Sequence, residues 1–355
     1  MIETRYVWAN GVRTFVQVAG SGEPIIFIHG ALLNSFLWRP QLDYFGATNF
    51  CVSYDLRGHG RTGPSSEVAY TTSLFARDLR ALLDALRLGQ VTICGLSLGG
   101  MIAQTFAELY PQRVRCLVLC DTAFSTFAGT IEMLLNAVVG VVTPSAIRTL
   151  GAGNFCALNY WINRLSGQGG WVSQTLAGRM YASWALASVP GEEMIKVYRS
   201  VLAFRGCRLD GFTGPALLIN GASDSPLILR QARLLQHQLP HAEYQIVPRA
   251  GHLANLDNPF EFNRMLDRFL MGSAARWVGP VEPDSNRAGT TGCQLPARST
   301  TTMQTSSSKS CLEENRQTSS TTAGNSCSAG RVANRCRLLI RALRPNCCPS
   351  RDSTS

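Results

Sequence analysis

"VTICGLSLGGM", residues 91–101, decides how this chain is read. Val91–Cys94 is a short apolar run of strand character. From Leu98 onward, Met101, Ile102, Phe106 and Ala107 recur at helical spacing. Ser97 therefore stands on a sharp strand-to-helix turn, flanked at two residues on each side by Gly95 and Gly99. Such a turn is a nucleophile elbow. It is tight, so the positions two before and two after the serine must be small, and Gly100 permits close packing behind it. The geometry presents the serine Oγ above the sheet. It also sets the Leu98 N–H at a helix N-terminus, where it can bind a developing oxyanion.

A serine hydroxyl needs a base, and five histidines are available. His29 ends a strand in "IFIHGALLN", and His59 sits in the glycine turn "DLRGHGRTG"; both positions suit loop bracing. His237 and His241, at a helix end and the loop beyond it, read as solvated surface. His252, in "VPRAGHLANLDNP", follows the last strand on a short loop before the final helix, where a base can reach across the carboxyl ends of the strands. The carboxylate that orients it is expected at Asp224, in "LLINGASDSPLI", between a strand and a helix, with a helix N-cap as the alternative role. Asp121, after "LVLC", is the rival acid. Asp55, in "YDLRGHG", reads as a turn-former pairing with nearby backbone N–H groups or with Arg57. The second oxyanion donor is expected in the loop after the strand Ile25–His29, at the Ala31 N–H. Phe36 and Trp38, just downstream, are the candidate substrate-binding side chains, with core packing as the other reading.

Around this centre the chain alternates strands and helices. Strands are expected at Tyr6–Ala9, Thr14–Val18, Ile25–His29, Phe50–Tyr54, Val91–Cys94, Cys116–Cys120, Ala216–Asn220 and Tyr244–Val247. Helices include Ser73–Leu86, where Leu74, Leu79, Leu82, Leu83 and Leu86 share one face, and Met101–Glu108. The alternation predicts a mostly parallel sheet with helices on both faces, and the wholly apolar "PIIFI" and "CLVLC" suit its centre. Residues 1–122 and 212–275 would form this core. Residues 123–211 show helical stretches and no clear strand, which predicts an all-helical cap inserted over one edge. Residues 276–355, rich in Ser, Thr, Gly and Arg, read as a disordered tail.

Net charge is +10, with 11 basic and 5 acidic side chains in residues 276–355 against 22 and 18 in residues 1–275. Basicity is thus concentrated in the tail, and no nucleic-acid partner is expected for the body. In the tail, "RVANRCRLLIRALR" aligns Val332, Cys336, Leu339, Ile340 and Leu343 on one arc between arginines. A weak contact with an anionic membrane surface is one reading of it, a chance run the other. No apolar stretch has the roughly 18–20 residues of a spanning helix, so no stable membrane insertion is expected. No secretory signal is seen, which makes the cytoplasm the expected location. Twelve cysteines show no CxxC pair and no zinc spacing, so neither metal nor disulfide scaffold is expected. Oligomeric state is left open.

The order Ser97, Asp224, His252, with "HG" before it and a helical insertion between, resembles the α/β-hydrolase fold superfamily over about residues 1–272. "YDLRGHGRTG", "CGLSLGGMIAQTFAELYPQRVRCLVLCDTA" and "RAGHLANLDNP" are most similar to the 3-oxoadipate enol-lactonase and small carboxylesterase branch. The resemblance implies cofactor-free hydrolysis of a small ester or lactone, with Ser97 as nucleophile, His252 as base, Asp224 as orienting acid and Ala31 and Leu98 as oxyanion donors. Epoxide hydrolases and haloalkane dehalogenases of this fold carry an aspartate nucleophile, unlike Ser97. Cofactor-free haloperoxidases usually carry proline two residues after "HG", where this chain has Leu32, and carbon–carbon bond hydrolases a glycine-rich loop, where it has "ALLN". An acyltransferase using the same triad, or an inactive hydrolase-fold binding protein, are the rival readings. Aromatic residues of the insertion, among them Phe155, Trp161, Tyr181 and Trp184, suit an apolar acyl or ring substrate.

Overall fold

In the computed structural model, residues 1–126, 130–165 and 172–276 are described. They fall in one compact unit, Met1–Trp277. The reading of residues 276–355 as a disordered tail lies outside the described residues from 277 on; Arg276 ends the last helix. Eight strands form one sheet: β1 (Ile2–Ala9), β2 (Val12–Ala19), β3 (Pro24–Ile28), β4 (Phe50–Tyr54), β5 (Val91–Leu96), β6 (Val114–Cys120), β7 (Ala216–Gly221) and β8 (Glu243–Val247). Their spatial order is β1-β2-β4-β3-β5-β6-β7-β8. From β4 to β8 every pairing is parallel; β1 and β2 add an antiparallel edge. The edge begins with a tight hairpin at Asn10-Gly11, both with positive φ, the conformation that dipeptide favours.

Alternation along the central strands splits the core into two layers, one on each face of the sheet. Ile26 and Ile28 of β3 face a layer built with Leu79 and Leu83 of α2 (Thr72–Ala85) and Ile102 and Phe106 of α3 (Leu98–Leu109). Ile25 and Phe27 face the opposite layer, with Leu42 and Phe45 of α1 (Arg39–Phe45) and, near the C-terminus, Phe262 and Leu266. Helices thus cover both faces. The near-continuous apolar sequences of β3 and β6 follow from burial on both sides.

Between β6 and β7 stand α4 (Thr130–Leu150), α5 (Ala152–Leu165), α6 (Leu176–Ala187) and α7 (Gly191–Leu202). After β7 come α8 (Pro226–Gln238), then β8, a one-turn α9 (Ala254–Asp257) and α10 (Pro259–Arg276). No described helix is long and apolar enough to cross a membrane. Cys51, Cys94, Cys116, Cys120 and Cys207 are buried free thiols, and burial pushes those of Cys51 and Cys207 up to about 12. They are packing residues.

Candidate active site

Parallel strands bring their carboxyl ends to one edge of the sheet, where loops of different strands meet. Ser97 follows β5 there, with φ 55° and ψ −116°, a strained conformation for a side chain with a Cβ. The strain is held in place on all sides. The Ser97 N–H donates to the Cys120 carbonyl at 2.9 Å, and the Ser97 carbonyl accepts from Gly100 N (2.9 Å), Met101 N (3.1 Å) and the Thr122 hydroxyl (2.6 Å). Glycine is required at both flanking positions. A Cβ on Gly95 would overlap the Gly99 backbone, and one on Gly99 the Ile28 carbonyl. A Cβ on Gly100 would come within 2.6 Å of Thr122 Cβ. The Ser97 hydroxyl makes no capping bond to α3, and the Leu98 N–H stands in the first turn of that helix.

Asp224 lies three residues beyond β7. Its carboxylate faces His252 Nδ1 with both oxygens, at 3.0 and 3.1 Å, and accepts the Ser225 N–H at 2.6 Å. The N-cap of α8 is not Asp224 but Ser225, whose hydroxyl accepts the Ile228 N–H. The Asp224 side chain is wholly buried and the His252 ring slightly exposed. Facing a carboxylate, Nδ1 carries the proton of the neutral ring and Nε2 becomes the basic nitrogen. The loop carrying His252 is pinned on both sides. Gly251 N–H donates to Asp257 Oδ2 at 2.9 Å, and Leu253 N–H to the Val172 carbonyl at 3.0 Å. Asp257 also accepts Gln174 N–H, Thr175 N–H and the hydroxyls of Ser173 and Thr175. One carboxylate therefore gathers the histidine loop and the N-terminus of α6, a role the sequence reading missed.

His29 and His59 are fully buried and brace loops. His29 Nδ1 lies 2.8 Å from the Gly30 carbonyl and His29 Nε2 accepts the Leu56 N–H; His59 Nδ1 lies 2.9 Å from the Arg57 carbonyl and His59 Nε2 accepts the Leu32 N–H. Burial lowers His29 to about 4 and His59 to about 3. Through these bonds the second histidine fixes the turn that carries Ala31 and Leu32. Asp55 accepts the Ser35 and Arg61 N–H groups, so its role as a turn-former holds, but Arg57 pairs with Asp78 instead. His241, exposed, contacts the Gly214 carbonyl.

Trp38 requires a correction. Its side chain is fully buried against Phe27 and Phe262, ring centroids 5.1 and 6.0 Å away, in the layer with α1 and α10. It packs the core. Phe36 is only partly buried and meets Trp184 of α6 edge-to-face at 6.3 Å, at the junction of the insertion with the loop after β3. There Tyr181, also of α6, hydrogen-bonds Asn34.

A family model described as "alpha/beta hydrolase fold" matches residues 23–143. The 3-oxoadipate enol-lactonase 2 of Acinetobacter baylyi is 24% identical over 264 residues, 69% of this chain and 88% of that protein. Among solved structures, a thermophilic esterase from Thermogutta terrifontis superposes with a TM-score of 0.64 at 20% identity, covering 76% of this chain and 99% of the other. Est816, an N-acyl homoserine lactone degrading enzyme, gives a TM-score of 0.58 at 26% identity, covering 75% and 100%. The sheet order, the serine turn and these likenesses agree: this chain has the α/β-hydrolase fold.

Proposed function

We propose that the chain is a serine hydrolase that cleaves a small, largely apolar carboxylic ester or lactone through an acyl-enzyme. The observation that carries the reading is the strained Ser97 turn set at the same sheet edge as the hydrogen-bonded His252–Asp224 pair. In this reading His252 Nε2 takes the Ser97 proton as Oγ attacks the carbonyl carbon. The Ala31 and Leu98 N–H groups hold the oxyanion, and Asp224 steadies the imidazolium. The alcohol leaves with that proton. His252 then removes a proton from water, which hydrolyses the acyl-enzyme and releases the acid. No cofactor enters these steps. The insertion α4–α7 acts as the cap, and the contact of Phe36 with Trp184 supplies an apolar wall, which favours an apolar acyl or ring group.

Fluorophosphonate labelling read by intact mass tests the proposal. A single adduct is expected on the wild type, none on Ser97→Ala, and little on His252→Ala. A folded wild type that takes no adduct and does not turn over p-nitrophenyl acetate would overturn it and leave a binding role. If an added alcohol captures the acyl group in preference to water, the enzyme is an acyltransferase with the same triad.

A further inference from the structure

Asp121 follows β6 as Asp224 follows β7, and the two strands are neighbours. It is fully buried, and its φ of 44° puts it in the left-handed region. One oxygen, Oδ1, accepts the Gly221 N–H at 2.8 Å and lies 3.4 Å from Asn220 Nδ2. The other, Oδ2, is buried and receives no N–H or O–H donor. An ionised carboxylate oxygen left in that state is costly in an apolar setting. Asp224 follows the adjacent strand β7, and its charge acts on Asp121 to push that carboxyl up. Its own oxygens are supplied with donors by His252 and Ser225.

Two carboxylates packed together in a dry site do not both ionise; one keeps a proton. The proton belongs on the carboxyl whose oxygen lacks a donor. We propose that Asp121 is a carboxylic acid that donates its O–H to the Asp224 carboxylate, and so positions the Asp224–His252 pair. Burial and the charge of Asp224 both push Asp121 well above the usual carboxylate range, while the Gly221 and Ala254 amides pull the other way. The ionisable groups around it are Asp224, His252 beyond, Cys120 beneath and Tyr244 on β8. No other described group supplies Asp224 with an O–H donor. The acid therefore fixes the rotamer of a carboxylate that has to keep aim while His252 gains and loses a proton.

Infrared spectroscopy of the full chain tests this without reference to activity. A protonated carboxyl C=O band is expected at neutral pH in the wild type and absent from Asp121→Asn. In Asp224→Asn burial still keeps Asp121 protonated, and with its charged acceptor gone the band is expected to persist at a higher frequency. A folded Asp121→Asn variant that keeps the wild-type band overturns the proposal. The kinetic arm rests on the serine-hydrolase reading. Asp121→Ala should lower kcat/KM at least about tenfold, the equivalent of one hydrogen bond to a charged group. Asp121→Asn keeps an N–H donor in place, so it should recover most of that loss with the acidic limb of the pH profile unmoved. A limb shifted by about one unit in Asp121→Asn would mean that a charge had been removed, and would overturn the proposal. If labelling of Ser97 fails while the infrared band behaves as expected, the function reading falls and the carboxyl pair stands.

Discussion

The hydroxyl of Tyr181 lies 2.9 Å from the carbonyl oxygen and 3.0 Å from Oδ1 of Asn34, and 3.3 Å from the Asn34 N–H. One phenol of the inserted helix α6 thus serves the loop after β3, the loop that carries Ala31. Asn34 is itself buried and accepts the Phe36 N–H through Oδ1. Tyr181→Phe removes only the hydroxyl and leaves Asn34 groups short of a partner. The variant should lose roughly 1–3 kcal/mol of stability in urea denaturation. An unchanged midpoint would show that water replaces the phenol.

Asp257 carries five hydrogen bonds that join the His252 loop to residues 173–175. With His252 as the proposed base, Asp257→Ala should slow turnover by about tenfold or more with little change in KM, because His252 loses its aim and not its chemistry. Steady-state kinetics on an activated ester decide it; a rise in KM alone would assign Asp257 to substrate binding.

Arg57 and Asp78 form a buried pair, with Nη2 2.6 Å from Oδ1 and Nε 2.9 Å from Oδ2; side-chain exposures are 4% and 9%. Removing one partner leaves the other charge buried. Asp78→Asn is expected to cost about 3–5 kcal/mol. Arg57→Met with Asp78→Leu should recover much of that. In the cycle of Arg57→Met and Asp78→Leu by chemical denaturation, a double variant that loses the sum of the two single losses would deny the coupling.

His29 and His59 give the fold an acid limit. Both are neutral when folded, lowered from 6.5 to about 4 and about 3 by burial. Unfolded, they take up protons below about pH 6.5. Their contribution is therefore complete above that pH and declines as pH falls toward 4 and 3. Each adds up to about 1.4 kcal/mol per pH unit across its window. The urea midpoint should fall steeply from pH 6 to 4, and His59→Gln, which can keep one donor and one acceptor, should flatten the slope. A slope unchanged in that variant would assign the acid limit elsewhere.

The alternation of apolar runs made the parallel sheet legible, because a strand buried on both faces has no polar residue to confuse its reading, as in "PIIFI" and "CLVLC". The serine turn was legible for a harder reason: only glycine fits at 95 and 99. The Asp224–His252 contact followed from both residues lying just beyond strands. Less visible was the start of the sheet. Strand β1 is mostly exposed, so its apolar signal begins only at Tyr6, although the structure starts it at Ile2. The Asn10-Gly11 pair carried the hairpin signal that defines this edge. Trp38 misled because an aromatic side chain just beyond a strand can point either way, and here it is packed into the core. Asp257 and Tyr181 act through contacts with residues far away in sequence, which no local pattern encodes.

The insertion between β6 and β7 also bears on how the chain folds. Cys120 pairs with Ile219 across its whole length. Closing a flexible loop of about a hundred residues costs several kcal/mol of chain entropy before any contact rewards it. Helices that form early within that loop draw its ends together. Nascent chain emerges in sequence order, so Ser97 and its turn precede Asp224 and His252 by the length of the insertion. Until β7 and β8 dock, Ser97 lacks the His252–Asp224 pair that the proposed mechanism assigns it, and by that mechanism a half-made chain is inert.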